Sequence, residues 1–135
     1  LLGVRDEVTY EGQAAIELEL LAGETPAEPY EWRFGNGVAL VRAAHDDFAA
    51  GRPRAEIAAA FHEGVAAAAA EACAEAGEPR TVVLSGGTFQ NLRLLASTRR
   101  RLEENGFCVL MHRLVPPNDG GISYGQAAVA AARSR

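Results

Sequence analysis

The stretch that decides the fold is Thr81-Val82-Val83-Leu84-Ser85-Gly86-Gly87-Thr88-Phe89-Gln90-Asn91. The apolar run that ends at Leu84 predicts a short buried strand, and apolar residues at helical spacing after Asn91 predict a helix. A glycine turn between a strand and a helix points backbone N–H groups at an anion and lets it approach the main chain closely. These residues alone leave two interpretations open: a turn that binds a phosphate or sugar, or a plain connection in which the glycines only relieve backbone strain.

The segments after this turn predict a helix, a second strand and a closing helix. A helix is predicted over 91–104, and the apolar segment Phe107 to Met111 predicts a second buried strand. A strand, a helix and a strand at this spacing imply a parallel pair. The arginine run Arg99 to Arg101 predicts a solvated helix face, and the last segment, 123–133, predicts a closing helix whose alanines pack closely.

The segments before the turn predict two more helices and a hairpin. Apolar spacing predicts an amphipathic helix over 11–21, and a long helix from Pro53 to Ala76 that forms the main scaffold. Between them, alternation over Tyr30 to Phe34 predicts a half-exposed strand. Gly35-Asn36-Gly37 predicts a hairpin turn, and Val38 to Val41 predicts the partner strand.

Composition limits the possible classes of function. The chain has 135 residues, 48% of them apolar, and a net charge of −5, which disfavours nucleic-acid binding through a basic surface. Cys73 and Cys108 lie far apart without metal-ligand spacing, which favours a reducing compartment. No apolar run is long enough to span a bilayer. We therefore predict a cytoplasmic protein with no membrane partner.

A second motif follows downstream: Val115-Pro116-Pro117-Asn118-Asp119-Gly120-Gly121-Ile122-Ser123-Tyr124-Gly125-Gln126. Together with Ser-Gly-Gly-x-Phe-Gln-Asn, and with the segment 7–15, it resembles the C-terminal end of the HypF family of carbamoyltransferases, which mature [NiFe] hydrogenases. It is also similar to antibiotic O-carbamoyltransferases and, more distantly, to tRNA threonylcarbamoyl transferases. The resemblance implies an α/β fold, one subdomain of an actin-like, RNase H-like ATPase. It also implies that residues 1–135 are the C-terminal subdomain of a HypF/TsaD-like domain and a fragment of a larger protein.

The resemblance also implies a chemistry and a set of ligands. Such enzymes use carbamoyl phosphate and ATP to form carbamoyl-adenylate, then carbamoylate the C-terminal cysteine of the acceptor protein HypE. The resemblance assigns Asn91 to the nucleotide, and the glycine turn beside it makes Ser85, Gly86 and Gly87 candidate nucleotide-binding residues as well. Asp119 matches a ligand of a divalent metal, either Fe, Zn or Mg, whose histidine ligands belong to a subdomain outside this sequence. A helix N-cap is the alternative role for Asp119.

Three expectations complete this interpretation. Catalytic residues stay unassigned, and the chain alone is expected to be inactive because the histidine pair and upstream domains are missing. His62 is expected to be a half-buried helix histidine with a hydrogen-bond partner. The alternatives that stay open are a nucleotide-binding fragment of another carbamoyltransferase, of the antibiotic O-carbamoyl or tRNA threonylcarbamoyl type, and a non-catalytic interaction domain on the same half-fold. A nucleotide-binding fragment of another actin-like protein, such as a sugar kinase, is a further one.

Overall fold

The structure is a computed structural model that describes residues 1–134. In chain order its elements are α1 (Gln13–Ala22), α2 (Gly37–Ala49), α3 (Arg54–Ala76), β1 (Thr81–Leu84), α4 (Leu92–Glu104), β2 (Cys108–Met111) and α5 (Ile122–Arg133). Short 3-10 turns precede α4 and α5, at Gly87–Gln90 and Asp119–Gly121. Among the described residues, no helix is both long and apolar enough to cross a membrane.

The two strands form the parallel pair that the sequence predicts. β1 and β2 pair in register from Thr81 opposite Cys108 to Leu84 opposite Met111, with α4 as the connection between them. One face of this sheet packs on α3 and α4, where Leu84, Leu102 and Phe107 are buried together. The other face is open, with Val83 and Leu110 at least half exposed, so the prediction that both strands are buried is wrong.

Helix α3 is the scaffold, as predicted. It is buried on several sides because α1, α2 and α4 all pack against it. Ile57 is fully buried in a cluster with Leu2 and Ala44, and Ala58 and Ala59 are buried beside Ala22 at the end of α1. A helix that is apolar nearly all round requires such neighbours on every side. The alanines of α3 therefore allow close helix approach.

The predicted hairpin is wrong. Residues 38–41 lie in α2, where Leu40 and Ala44 are buried four residues apart on one face. The segment at Tyr30 forms no strand: its backbone N–H donates to the carbonyl of Ala60 on α3 at 3.3 Å. A run of four apolar residues fits either a strand or a helix, and here the burial of Leu40 and Ala44 against the core decides the outcome.

Helix α5 forms where predicted, but its alanines do not pack. No residue of Ile122–Arg133 is buried. Its first turn follows the 3-10 turn Asp119–Gly121, and its remaining length is exposed. The expectation of close alanine packing is therefore wrong for the chain as described.

The arginine run has two environments rather than one solvated face. Arg99 pairs with exposed Glu103 at 2.7 Å. Arg100 and Arg101 instead reach the carboxylate of Glu63 on α3, at 3.3 and 2.9 Å. Because Glu63 is buried, part of this run connects two helices across the core, and the predicted role is wrong for Arg101.

Candidate functional site

The carboxyl ends of β1 and β2 lie side by side, because the strands are parallel and Leu84 pairs with Met111. The residues that follow, Ser85 and His112, leave the sheet at the same edge. Ser85 Oγ lies 2.8 Å from His112 Nε2, a hydrogen-bond distance. Ligands of open α/β sheets bind in the crevice outside the carboxyl ends of the strands. This edge is therefore the candidate site.

The glycine turn (Ser85–Gly87) and the proline loop (Val115–Gly121) are in direct contact. The backbone N–H of Gly86 donates to the carbonyl of Pro117 at 2.9 Å. Helix α4 and strand β2 separate these two motifs in sequence. The fold thus brings together the two stretches on which the resemblance depends.

The two glycines of the turn differ in whether their backbone conformation requires glycine. Gly86 has φ 96° and ψ 161°, a conformation that only glycine adopts without strain. Gly87 has no positive φ. A Cβ built at either position meets no atom within 4 Å. At Gly87 neither backbone strain nor packing requires glycine. The missing side chain therefore leaves open space over the main chain.

Asn91 caps helix α4. Its Oδ1 accepts a hydrogen bond from the backbone N–H of Leu94 at 2.8 Å. Its Nδ2 lies 2.9 Å from Nε2 of His62, which places the amide against α3. His62 is hydrogen-bonded, as the sequence predicts, but it is buried and not half-buried. Asn91 therefore joins the glycine turn to the helical core, and its nucleotide contact stays a prediction.

In the proline loop, two neighbouring residues have different surroundings. Asn118 caps the 3-10 turn, because its Oδ1 accepts from the backbone N–H of Gly120 at 3.1 Å. Asp119 is the first residue of that turn, and its side chain is exposed. Helix α5 has no side-chain cap. The alternative role of Asp119 as the helix cap is therefore wrong, and its carboxylate faces solvent.

The glycines of the proline loop serve packing. A Cβ at Gly121 would lie 3.0 Å from the carbonyl oxygen of Pro116 and 3.0 Å from Cγ1 of Val115. A Cβ at Gly120 would lie 3.1 Å from Oδ1 of Asn118. At these distances a side chain at either position would require the neighbouring atoms to shift by a few tenths of an ångström. The loop is thus held tightly behind Asp119, in contrast to the open space over Gly87.

Residues 1–134 contain no cluster of three or more His, Cys, Asp or Glu side chains that could hold a metal ion. His45 lies beside Asp46 on the surface of α2, and His62 is buried against α4. His112 contacts Ser85. Asp119 therefore supplies one carboxylate, which suits a divalent cation only in company with ligands from elsewhere.

Two residues of this region were missed by sequence reasoning, His62 as a site neighbour and His112. His112 directly follows β2 as Ser85 directly follows β1, so the parallel register could have placed it. His62 offers no comparable signal, because its approach to Asn91 depends on the packing of α3 against α4. The sequence positions of Ser85 and His112 therefore predict that these two residues meet. Those of His62 and Asn91 do not.

A surface groove of about 590 Å³ lies elsewhere, between the segment 29–33 and α3. Trp32 and Ala68 line it, and Arg33 pairs with Glu71 at 3.2 Å. The predicted site residues do not line this groove. We therefore locate the candidate site at the sheet edge, where the motifs meet, and not in this groove.

Known proteins are similar to this chain in sequence and fold. Residues 1–126 match the family profile described as "Carbamoyltransferase, Kae1-like Domain, second subdomain". The carbamoyltransferase HypF of Rhodobacter capsulatus is 40% identical over 128 residues, which cover 93% of this chain and 17% of that protein. HypF of Rhizobium leguminosarum bv. viciae is 39% identical over 136 residues, covering 96% and 18%.

Solved structures show a similar fold. A full-length HypF crystallised in its phosphate- and nucleotide-bound form matches with a TM-score of 0.84 and 38% identity, over 96% of this chain and 18% of that chain. HypF of T. kodakarensis matches with a TM-score of 0.76 and 25% identity, over 93% and 17%. The fold is thus an α/β subdomain of the actin-like class. The chain belongs to the HypF carbamoyltransferase family, and it spans 17–18% of the length of these relatives.

Proposed function

We propose that this chain supplies the nucleotide-contacting part of a carbamoyltransferase that acts on carbamoyl phosphate and ATP. In the proposed reaction, carbamoyl phosphate is hydrolysed to carbamate and phosphate. Carbamate then attacks the α-phosphorus of ATP, and carbamoyl-adenylate forms as pyrophosphate leaves. The C-terminal cysteine thiol of an acceptor protein like HypE attacks the carbamoyl carbon and displaces AMP. A cytoplasmic location, where such a thiol stays reduced, suits this chemistry.

The observation that carries the proposal is the open glycine turn at the carboxyl ends of the parallel strands. Gly87 leaves free space over the main chain, and Gly86 fixes the turn to the proline loop. Phosphoryl and adenylyl transfer depend on positioning and on polar groups that face the phosphate charge. A turn that presents main chain without side-chain obstruction at Gly86 and Gly87, with the Ser85 hydroxyl beside it, is suited to hold those phosphates.

A divalent metal fits this site only as a shared ligand. Asp119 would hold it through an exposed carboxylate on a tightly packed loop, together with histidines outside this chain. When bound, the metal, whether Fe, Zn or Mg, supplies positive charge that stabilises negative charge on the phosphates. The residues of this chain provide the glycine turn, the Asn91 amide and that one carboxylate.

The test uses a chimera in which this chain replaces the matching segment of the Rhodobacter capsulatus HypF. We expect Asn91→Ala to weaken ATP binding by roughly 1–3 kcal/mol, because a buried polar partner is left unpaired. Gly87→Ala should also weaken binding, since its methyl group enters the open space over the turn. Calorimetric titration of ATP measures both variants.

Asn105→Ala is the matched control, an exposed asparagine at the other end of the same helix. It should bind ATP as the unmodified chimera does. Unchanged affinity in both Asn91→Ala and Gly87→Ala would contradict the proposed nucleotide site.

A further inference from the structure

The buried histidine on α3 has a defined tautomer. His62 is 5% exposed, and its Nδ1 lies 2.7 Å from the carbonyl oxygen of Ala58. A carbonyl oxygen can only accept, so Nδ1 carries the hydrogen. In the neutral ring Nε2 then has a lone pair and no hydrogen. His62 therefore presents an acceptor to whatever faces Nε2.

The group that faces Nε2 is the side-chain amide of Asn91. Its Nδ2 lies 2.9 Å away and donates, while Oδ1 accepts from the N–H of Leu94 at 2.8 Å. The reversed amide would set oxygen against the Nε2 lone pair and NH₂ against the Leu94 N–H. Both contacts therefore select the same orientation. The second hydrogen of Nδ2 stays free to donate to a ligand oxygen.

The surroundings keep this histidine neutral. Burial lowers the pKa of His62 from its ordinary value, and Arg93 on α4 lowers it further. The Ala58 carbonyl and the carboxylates of Glu19 and Glu63 act in the opposite direction, and the net direction is down. The Nε2 lone pair is thus present at neutral pH.

We propose that His62 is a positioning residue, which holds the Asn91 amide so that one Nδ2 hydrogen faces an oxygen of the bound nucleotide. This inference rests on the proposed function, in which Asn91 contacts that nucleotide. It assigns to His62 no contact with substrate. The role differs from simple core filling because it requires an acceptor at Nε2 and acts only through Asn91.

Two substitutions separate these roles. In His62→Gln the longer amide places an oxygen near the former Nε2 and keeps the acceptor for Asn91. In His62→Asn the shorter amide keeps the hydrogen bond to Ala58 and loses the acceptor. Both replace the ring by a polar amide, so they remove similar packing. Each is made in the chimera described above, alone and combined with Asn91→Ala.

We expect His62→Asn to weaken ATP binding by roughly five- to tenfold and His62→Gln by no more than about twofold, the range of one hydrogen bond. In the Asn91→Ala background, neither His62 substitution should weaken binding further. The side-chain amide resonance of Asn91 in this chain should shift in His62→Asn and stay near its position in His62→Gln.

Equal losses in His62→Asn and His62→Gln would overturn the inference, as would a His62→Asn effect that persists with Asn91→Ala. If His62→Asn fails to fold, His62→Gln still decides, because a loss beyond about tenfold overturns the inference. Failure of the proposed site is distinguishable: Asn91→Ala alone would then bind ATP normally. Weak binding in Asn91→Ala with normal binding in His62→Asn refutes only the role of His62.

Discussion

At the scale of single residues, the proline loop divides two roles between neighbours. Asn118 caps the 3-10 turn, and Asp119 presents an exposed carboxylate. In the chimera, we expect Asp119→Ala and Asp119→Asn to lower metal content and abolish carbamoyl-adenylate formation, while the melting temperature changes little. Asn118→Ala is the control, and it should lose about 1 kcal/mol of stability with its cap. Elemental analysis and melting curves measure both, and full metal content in Asp119→Ala would contradict the ligand role.

Glu63 is a second residue with a testable consequence. Burial raises the pKa of Glu63, but hydrogen bonds from Ser97 and Arg101, with the nearby Arg100, lower it below its ordinary 4.5. The unfolded chain therefore binds the proton at higher pH than the folded chain. Stability from this carboxylate is fully present above about pH 4.5 and is lost as pH falls towards the folded pKa.

We expect the free energy of unfolding to fall less with decreasing pH in Glu63→Gln than in the original chain. Glu17 and Asp47, whose pKa values are also lowered, remain in both proteins, so the difference isolates Glu63. Glu103→Gln, in an exposed pair with Arg99, is the control and should change stability by less than about 1 kcal/mol. Urea unfolding between about pH 3 and 7 measures the three proteins. Parallel profiles for Glu63→Gln and the original chain would contradict the prediction.

At the scale of elements, the segment before α2 depends on its contact with α3. A Cβ at Gly64 would lie 2.9 Å from the carbonyl oxygen and 3.3 Å from the nitrogen of Tyr30. Both atoms are backbone, so they cannot turn away as a side chain could. Gly64 therefore allows the segment at Tyr30 to lie directly against α3.

Gly64→Ala should destabilise this chain by about 1–3 kcal/mol, because the segment must move from α3. Gly125→Ala is a matched control on α5, where a Cβ meets no atom within 4 Å. There the higher helix propensity of alanine should stabilise by up to about 1 kcal/mol. Thermal melting of both variants decides, and equal shifts in the same direction would show that Gly64 has no packing role.

At the scale of the whole molecule, the proposed metal site would need ligands that this chain does not supply. Asp119 gives one carboxylate, and residues 1–134 contain no metal-binding cluster. We expect this chain alone to release no AMP from ATP with carbamoyl phosphate, and to be metal-free after dialysis, because a divalent ion needs several ligands at once. AMP assay and elemental analysis measure this, and robust turnover by the isolated chain would contradict it.

The local sequence determined the parallel strands, the helix between them and the long scaffold helix. Each has a signal within a few residues: an apolar run, a glycine turn, or a helix bounded by Pro53 and Gly77. Such signals reflect backbone geometry and side-chain period, which neighbouring residues set by themselves. The motifs also determined the family, because their residues stand in order at a fitting distance.

Tertiary structure decided what those signals left open. Residues 38–41 are helical because Leu40 and Ala44 bury together against the core, which a short apolar run does not reveal. Helix packing alone places His62 against Asn91 and Glu63 against Arg101. The alanines of α5 are exposed, although the sequence predicted that they pack closely. The helical segment 38–41 and the contacts of His62 and Glu63 depend on residues distant in sequence, and a local pattern does not show which distant surface a residue will pack against.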